Sequence, residues 1–209
     1  MKHFPLFFNL ENKPVLICGG NHHAFQKIQK LMPFGPEITV VSGNISEEIS
    51  DVSEVYSNIN IIERHFIPED LDIHPVLVIV TEPVEITRRI YNVCSEKHIP
   101  VNAVDMPEYC DVIFPSVVSR ENLCIGISSG GISPTATVDL KEKIDGELPS
   151  NIDEILEWMP RAREKVKSEV NESQKKRVLR MIYKRAAELD RPLDNAEVQK
   201  IIENTEPGS

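Results

Sequence analysis

The sequence predicts an α/β fold: a parallel sheet interleaved with helices, then a small strand-and-helix segment, then a helical tail. Three observations carry this expectation. Val15, Leu16, Ile17 and Cys18 form a continuous apolar run short enough for a strand buried on both faces, Gly19 and Gly20 break it, and Ala24, Ile28 and Leu31 recur at helical spacing. Residues 76–80 repeat the buried-strand signature and end at Thr81-Glu82-Pro83, where Pro83 suits the first turn of a helix. Beyond Leu148-Pro149-Ser150 every apolar pattern has the helical period.

The composition narrows the function classes. The 209 residues are 41% hydrophobic and 27% charged, enough for one substantial core with a smaller appendage. A formal net charge of -10 argues against nucleic-acid partners, which bind through Lys and Arg on phosphates, and means that an acidic substrate needs a local basic pocket. Cys18, Cys94, Cys110 and Cys124 show no C-x-x-C spacing and read as reduced core residues. The N-terminal apolar stretch is too short for a signal peptide and no later run approaches a membrane span, so a cytoplasmic protein without membrane contact is expected.

In chain order, residues 4–10 read as an edge strand or an apolar arm laid against the core, with Asn12-Lys13 turning into the first strand. The strand, glycine turn and helix that follow place unpaired N–H groups and a helix dipole at a strand end, which favours a phosphate. In the dinucleotide fingerprint G-x-G-x-x-G/A the three small positions fall on Gly19, Asn21 and Ala24. Asn tolerates positive φ better than most residues, so the turn is expected to survive Asn21. A plain nucleotide-free β-α turn fits the same stretch equally well. Residues 37–41 are a second strand, and its end, Ser42-Gly43-Asn44, is where a ribose would lie; Ser42 and Asn44 offer neutral bonds only, which leaves NAD versus NADP open. Residues 59–62 are a third strand, and His65 beyond it reads as a solvated or packing histidine. After residues 76–80 comes a helix to about residue 97, then residues 101–104 as a fifth strand ending in Asp105. Ligands of open α/β sheets bind beyond the carboxyl ends of strands, so Asp105 stands where chemistry is usually done, although a loop-capping aspartate is the plainer reading.

From Asp111 two apolar runs, residues 112–118 and 123–127, flank a polar turn and suggest strands outside the first sheet. The loop Ser128-Ser-Gly-Gly-Ile-Ser-Pro134 opens a helix to about residue 147; its hydroxyls and N–H groups suit carboxylates or simply cap the helix. In the tail, Ile152, Ile155, Leu156 and Met159 share one face, Leu179, Ile182, Tyr183 and Ala186 a second, and Val198, Ile201 and Ile202 a third. Asp194 with Glu197 reads as a capping box, and the final residues 205–209 as disordered.

The order of these features, with the Phe4-Pro-Leu-Phe7 arm, the Gly-Gly turn, Val101-Asn-Ala-Val-Asp105 with Pro107, Ile113-Phe-Pro115 and Ile127-Ser-Ser-Gly-Gly-Ile-Ser-Pro134, resembles the precorrin-2 dehydrogenase and sirohydrochlorin ferrochelatase family, the N-terminal module of siroheme synthase. The resemblance spans roughly residues 1–150 and extends to the tail in layout. It implies a Rossmann-type NAD-binding domain over residues 1–112, a dimerisation region over 113–149 that makes a homodimer, and a helical domain over 150–209. The implied activity is NAD-linked oxidation of precorrin-2 to sirohydrochlorin, with Fe2+ insertion into sirohydrochlorin in some members. Asp105 matches the family's catalytic aspartate and is the implied transient metal contact; Gly19, Gly20, Asn21, His22 and His23 would meet the pyrophosphate through position rather than imidazole chemistry. Gly43, Asn44 and Thr81 would line the adenosine and nicotinamide route, and Ser129, Gly130 and Ser133 the carboxylates of the tetrapyrrole. The chain departs from the family pattern at Asn21 (a third glycine), Glu82-Pro83 (an acidic pair), Thr87 (an asparagine) and Val138 (an arginine). The alternative that these departures raise is a chelatase-only or non-catalytic tetrapyrrole-binding relative.

Overall fold

The computed structural model describes residues 3–205. They divide into two compact units whose boundary in the chain falls between Phe114 and Pro115.

The first unit is built on five strands, β1 (Pro14–Cys18), β2 (Glu37–Val41), β3 (Ile59–Ile62), β4 (Leu77–Val80) and β5 (Val101–Ala103), all parallel, in the order β3-β2-β1-β4-β5. Successive side chains of a strand point to opposite faces, and the apolar runs serve both. Val15 and Ile17 join Ile38, Val40 and Ile79 on the face covered by Ala24 and Ile28 of α1 (His22–Leu31) and Ile49 of α2 (Glu47–Val55). Leu16 and Cys18 join Val41, Val78, Val80 and Val101 on the face covered by Ile90 and Cys94 of α3 (Val84–Glu96). At roughly 1.5–3 kcal/mol for each buried large aliphatic side chain, these two layers dominate the unit's stability. The strand order reverses at β1, whose two neighbours, β2 and β4, lead away in opposite directions; that is the switch point of a doubly wound sheet.

Three features differ from the sequence expectations. Residues 4–10 form neither a strand nor a covering arm: Phe4, Leu6, Phe7 and Phe8 are exposed and only Leu10 is buried. The helix α2 has no counterpart in the sequence expectations, although Ile49 and Val52 stand at helical spacing and pack on the core; acidic Glu47 and Glu48 in its first turn favour it through the helix dipole. Thr205, expected in a disordered end, is buried and donates from Oγ1 to the Ile201 carbonyl at 2.6 Å, while residues 206–209 lie outside the described residues.

The second unit opens with the antiparallel pair β6 (Ser116–Ser119) and β7 (Cys124–Ile127), followed by α4 (Pro134–Glu147), with Ser116 Oγ donating to Thr137 Oγ1 at 3.0 Å. Helices α5 (Ile152–Glu169), α6 (Glu172–Leu189) and α7 (Asn195–Glu203) close on Ile155, Ala162, Val166, Val178, Ile182, Ala186, Val198 and Ile202. The capping box of α7 is formed: Glu197 N–H donates to Asp194 Oδ1 at 2.8 Å and Asp194 N–H to Glu197 Oε2 at 2.9 Å.

One buried charge braces the first unit. Burial alone would push the Asp70 carboxyl up, but hydrogen bonds from Arg64, one of 2.8 Å, and the Ile67 N–H at 2.8 Å outweigh it and hold the group below its ordinary value. Asp70→Ala is expected to lower unfolding stability by about 2 kcal/mol in urea at pH 7. Because the folded carboxyl titrates below the unfolded one, this contribution is complete above the unfolded pKa and is lost as pH falls towards the folded value, so the gap to wild type should narrow between about pH 5 and pH 3. A gap that stays constant to pH 3 would mean that the carboxylate's charge contributes nothing.

Candidate functional site

At the carboxyl end of β1 the chain has no room for a side chain. Gly19 has φ 121°, and a Cβ there would lie 2.1 Å from Thr81 Oγ1, just past β4; a Cβ on Gly20 would lie 2.2 Å from the Asn44 carbonyl oxygen, just past β2. The Ser46 N–H donates to the Gly20 carbonyl at 2.8 Å and the Gly19 N–H to that of Val41 at 3.0 Å, so the turn is stitched to the loop after β2. The left-handed residue is thus Gly19 alone. Asn21, expected to exploit its tolerance of positive φ, is extended at φ -89° and ψ 178° and uses its side chain instead. Its Oδ1 caps α1 by accepting from the Ala24 N–H at 3.1 Å, and its Nδ2 donates to the Thr81 carbonyl at 2.9 Å, which ties the turn to the end of β4 across the switch point. The N–H groups of Gly20, Asn21, His22 and His23 have no partner among the described residues, which leaves four successive donors at the positive end of α1.

The side chains around this turn are largely committed to the protein. His22 places Nδ1 3.0 Å from Glu48 Oε2 and Nε2 3.0 Å from Gln26 Nε2, while His23 is exposed. Ser42 Oγ donates to the Asn44 carbonyl at 3.0 Å. The His65 ring packs over Gly43, 3.1 Å from where a Cβ would stand. Thr81 Oγ1 is buried, faces Gly19 and has no partner among the described residues.

Asp105 follows β5 at the same edge of the sheet. It is exposed, adopts φ 59°, and its carboxylate makes no hydrogen bond or ion pair among the described residues, so it is not a loop cap. A left-handed non-glycine residue costs of order 1 kcal/mol and persists where the surroundings hold it. Here Val104 N–H donates to the Val80 carbonyl at 2.9 Å, and the buried Asn102 Nδ2 donates to the Val112 carbonyl at 3.0 Å. The sequence reading missed Lys27, whose half-buried ammonium lies 4.3 Å from the centroid of the Phe114 ring. A signal was available, since Lys27 falls between Ala24 and Leu31 on the apolar stripe of its helix.

Ser129, Gly130 and Ser133 belong to the second unit. Ser129 Oγ accepts from the Ser133 N–H at 2.9 Å, Ser128 Oγ from the Gly130 N–H at 3.0 Å, and Ser133 Oγ caps α4 by accepting from Ala136 N–H at 3.3 Å. Each hydroxyl keeps its proton free to donate. Among the described residues no three His, Cys, Asp or Glu side chains gather where they could hold a metal, and no helix is long and apolar enough to cross a membrane.

A doubly wound parallel sheet with a glycine turn and free helix N–H groups at its switch point defines the nucleotide-binding α/β class. The chain belongs to the family described as "Putative NAD(P)-binding", whose model matches residues 6–116. It is 35% identical to the siroheme synthase of Zymomonas mobilis over 171 residues, 79% of this chain and 36% of that protein. It is 31% identical to that of Neisseria meningitidis serogroup C over 170 residues, 81% of this chain and 35% of that protein. The chain therefore spans about a third of the length of these relatives. Among solved structures, SirC, a precorrin-2 dehydrogenase, superposes with a TM-score of 0.69 at 21% identity over 98% of this chain and 99% of that one, a likeness of fold.

Gly20→Ala is expected to cost about 3 kcal/mol in urea unfolding, because the new methyl meets backbone rather than a flexible side chain. Asn21→Ala should cost about 1 kcal/mol through the lost helix cap. An unchanged midpoint for Gly20→Ala would show that the loop after β2 yields freely.

Proposed function

We propose that the protein is an NAD-dependent precorrin-2 dehydrogenase that oxidises precorrin-2 to sirohydrochlorin in siroheme biosynthesis. The observation that carries this reading is the pairing, along one sheet edge, of four unpartnered N–H groups at the α1 N-terminus with the unpaired Asp105 carboxylate beyond β5. The siroheme synthase relatives and the fold shared with a precorrin-2 dehydrogenase supply the substrate class.

In this reading the residues present suit the cofactor. Gly19 makes the turn, the N–H groups of Gly20, Asn21, His22 and His23 hold the pyrophosphate, and Gly43, Asn44 and Thr81 border the nucleoside ends. NAD, when bound, supplies the hydride acceptor. Asp105 accepts the proton that leaves the macrocycle with the hydride, as an unpaired carboxylate can. Ser129 and Ser133 donate through their hydroxyls to substrate carboxylates, and Gly130, whose N–H is held by Ser128 Oγ, lets the loop pass close to them. Residues 113–149, where Ile132, Val138 and Leu140 are exposed, form the dimerisation region of a homodimer, with the NAD-binding domain over residues 1–112 and a helical domain over 150–209. The free thiols of Cys18, Cys94, Cys110 and Cys124 suit a cytoplasmic setting. If Fe2+ is inserted as a second substrate, Asp105 is its transient oxygen contact.

The Asn21 clip to Thr81 favours a second reading, a chelatase or non-catalytic tetrapyrrole-binding relative, because the clip crosses the switch point where a dinucleotide would lie. Assays with precorrin-2, NAD and Fe2+, each omitted in turn, separate the two. The dehydrogenase reading expects sirohydrochlorin to form only when NAD is present, and a thermal shift with about 1 mM NAD. Asp105→Ala is expected to lower kcat by about 100-fold or more with the NAD shift intact. Absence of any response to NAD or NADP, with sirohydrochlorin still bound, would favour the second reading, and full activity of Asp105→Ala would remove that residue from the site.

A further inference from the structure

Lys27 is a cation without an anion. Its helix buries Ala24, Ile28 and Leu31, and Lys27 emerges half-buried beside that stripe, with its ammonium over the Phe114 ring at 4.3 Å and no hydrogen bond or ion pair among the described residues. Phe114 is itself packed against the core layer beneath α1. The ring attracts the charge but does not neutralise it or accept its three protons. Burial, and secondarily the like charge of Lys30, hold the ammonium below its ordinary pKa, and the Asp105 carboxylate lies near enough for its charge to act in the opposite direction. A partly desolvated charge with no counter-ion is where an incoming anion gains most. The chain's net charge of -10 repels a polycarboxylate, so it needs specific local cations to approach Asp105.

We infer that Lys27 is a ligand-contacting residue that pairs with a carboxylate of the bound tetrapyrrole and so decides which edge of the ring faces Asp105. The inference rests on the proposed function and deepens it. It assigns Lys27 to binding and orientation, and leaves proton transfer with Asp105.

The test is an absorbance titration of the full chain with sirohydrochlorin, without NAD, at low and high salt, on wild type, Lys27→Met, Lys27→Arg and Phe114→Leu, with urea midpoints for each. Lys27→Met is expected to weaken binding about 10-fold and flatten its salt dependence, Lys27→Arg to restore most of the affinity, and Phe114→Leu, which keeps the ammonium, to bind nearly as wild type. In turnover, Lys27→Met should raise KM for precorrin-2 while KM for NAD stays unchanged. Undiminished sirohydrochlorin binding by Lys27→Met, or an equal loss in Phe114→Leu, would overturn the inference and leave Lys27 a brace for the ring. Should Lys27→Met fail to fold, Lys27→Arg and Phe114→Leu decide on the same grounds: a loss in Phe114→Leu that matches its drop in stability marks a brace. Wild type that neither binds sirohydrochlorin nor oxidises precorrin-2 would overturn the proposed function together with the inference, whereas wild type that does both beside an unaffected Lys27→Met overturns the inference alone.

Discussion

The tight approach of three strand ends around Gly19 and Gly20 is the constraint on which the rest of the first unit depends. Thr81 after β4 and the Asn44 carbonyl after β2 occupy the space that side chains at these two positions would need. Only with both glycines in place can β1 run between its neighbours and turn at once into α1. That turn leaves the donors of Gly20, Asn21, His22 and His23 bare, and the same sheet edge carries Asp105. Packing and candidate chemistry therefore share one cause: a parallel sheet drawn tight at its switch point leaves backbone donors bare at the start of α1.

Much of this architecture can be read from the residues, for physical reasons that differ by element. A parallel strand covered on both faces must be apolar at every position, so β1 and β4 stand out as uninterrupted runs, and the reversal at the glycine turn marks the junction with α1. The β6–β7 pair is legible because a polar turn separates two apolar runs. The helix α2 went unread because it is short and buries one isoleucine, although Ile49 and Val52 keep helical spacing. Aromatic residues in the arm suggested a covering role, and the described chain leaves them in solvent, because nothing in a local pattern says whether a partner surface exists.

The site shows the same division. Asp105 follows from topology alone, as the residue just beyond a strand's carboxyl end. Its lack of partners required coordinates. For Asn21 the sequence suggested backbone tolerance, while the structure uses the amide, one end on the Ala24 N–H and the other on the Thr81 carbonyl. Lys27 was overlooked because lysine is ordinarily assigned to solvent, although its place beside the apolar stripe of α1 was legible; its ring partner Phe114 is remote in the chain and became visible only in the fold. Serine hydroxyls in the second unit were readable as acceptors for their own loop, and they keep protons to give.

The doubly bonded amide of Asn21 has a further consequence for how the crevice behaves. Because helix start, glycine turn and β4 terminus are already joined in the free protein, the loop is rigid before any guest arrives, and little chain entropy is left to lose on association. An entering diphosphate would meet a finished surface whose bare N–H groups are already oriented. Selectivity at such a surface comes from the fit of a preformed outline, and an anion too small to reach several of the bare N–H groups at once gains least from it.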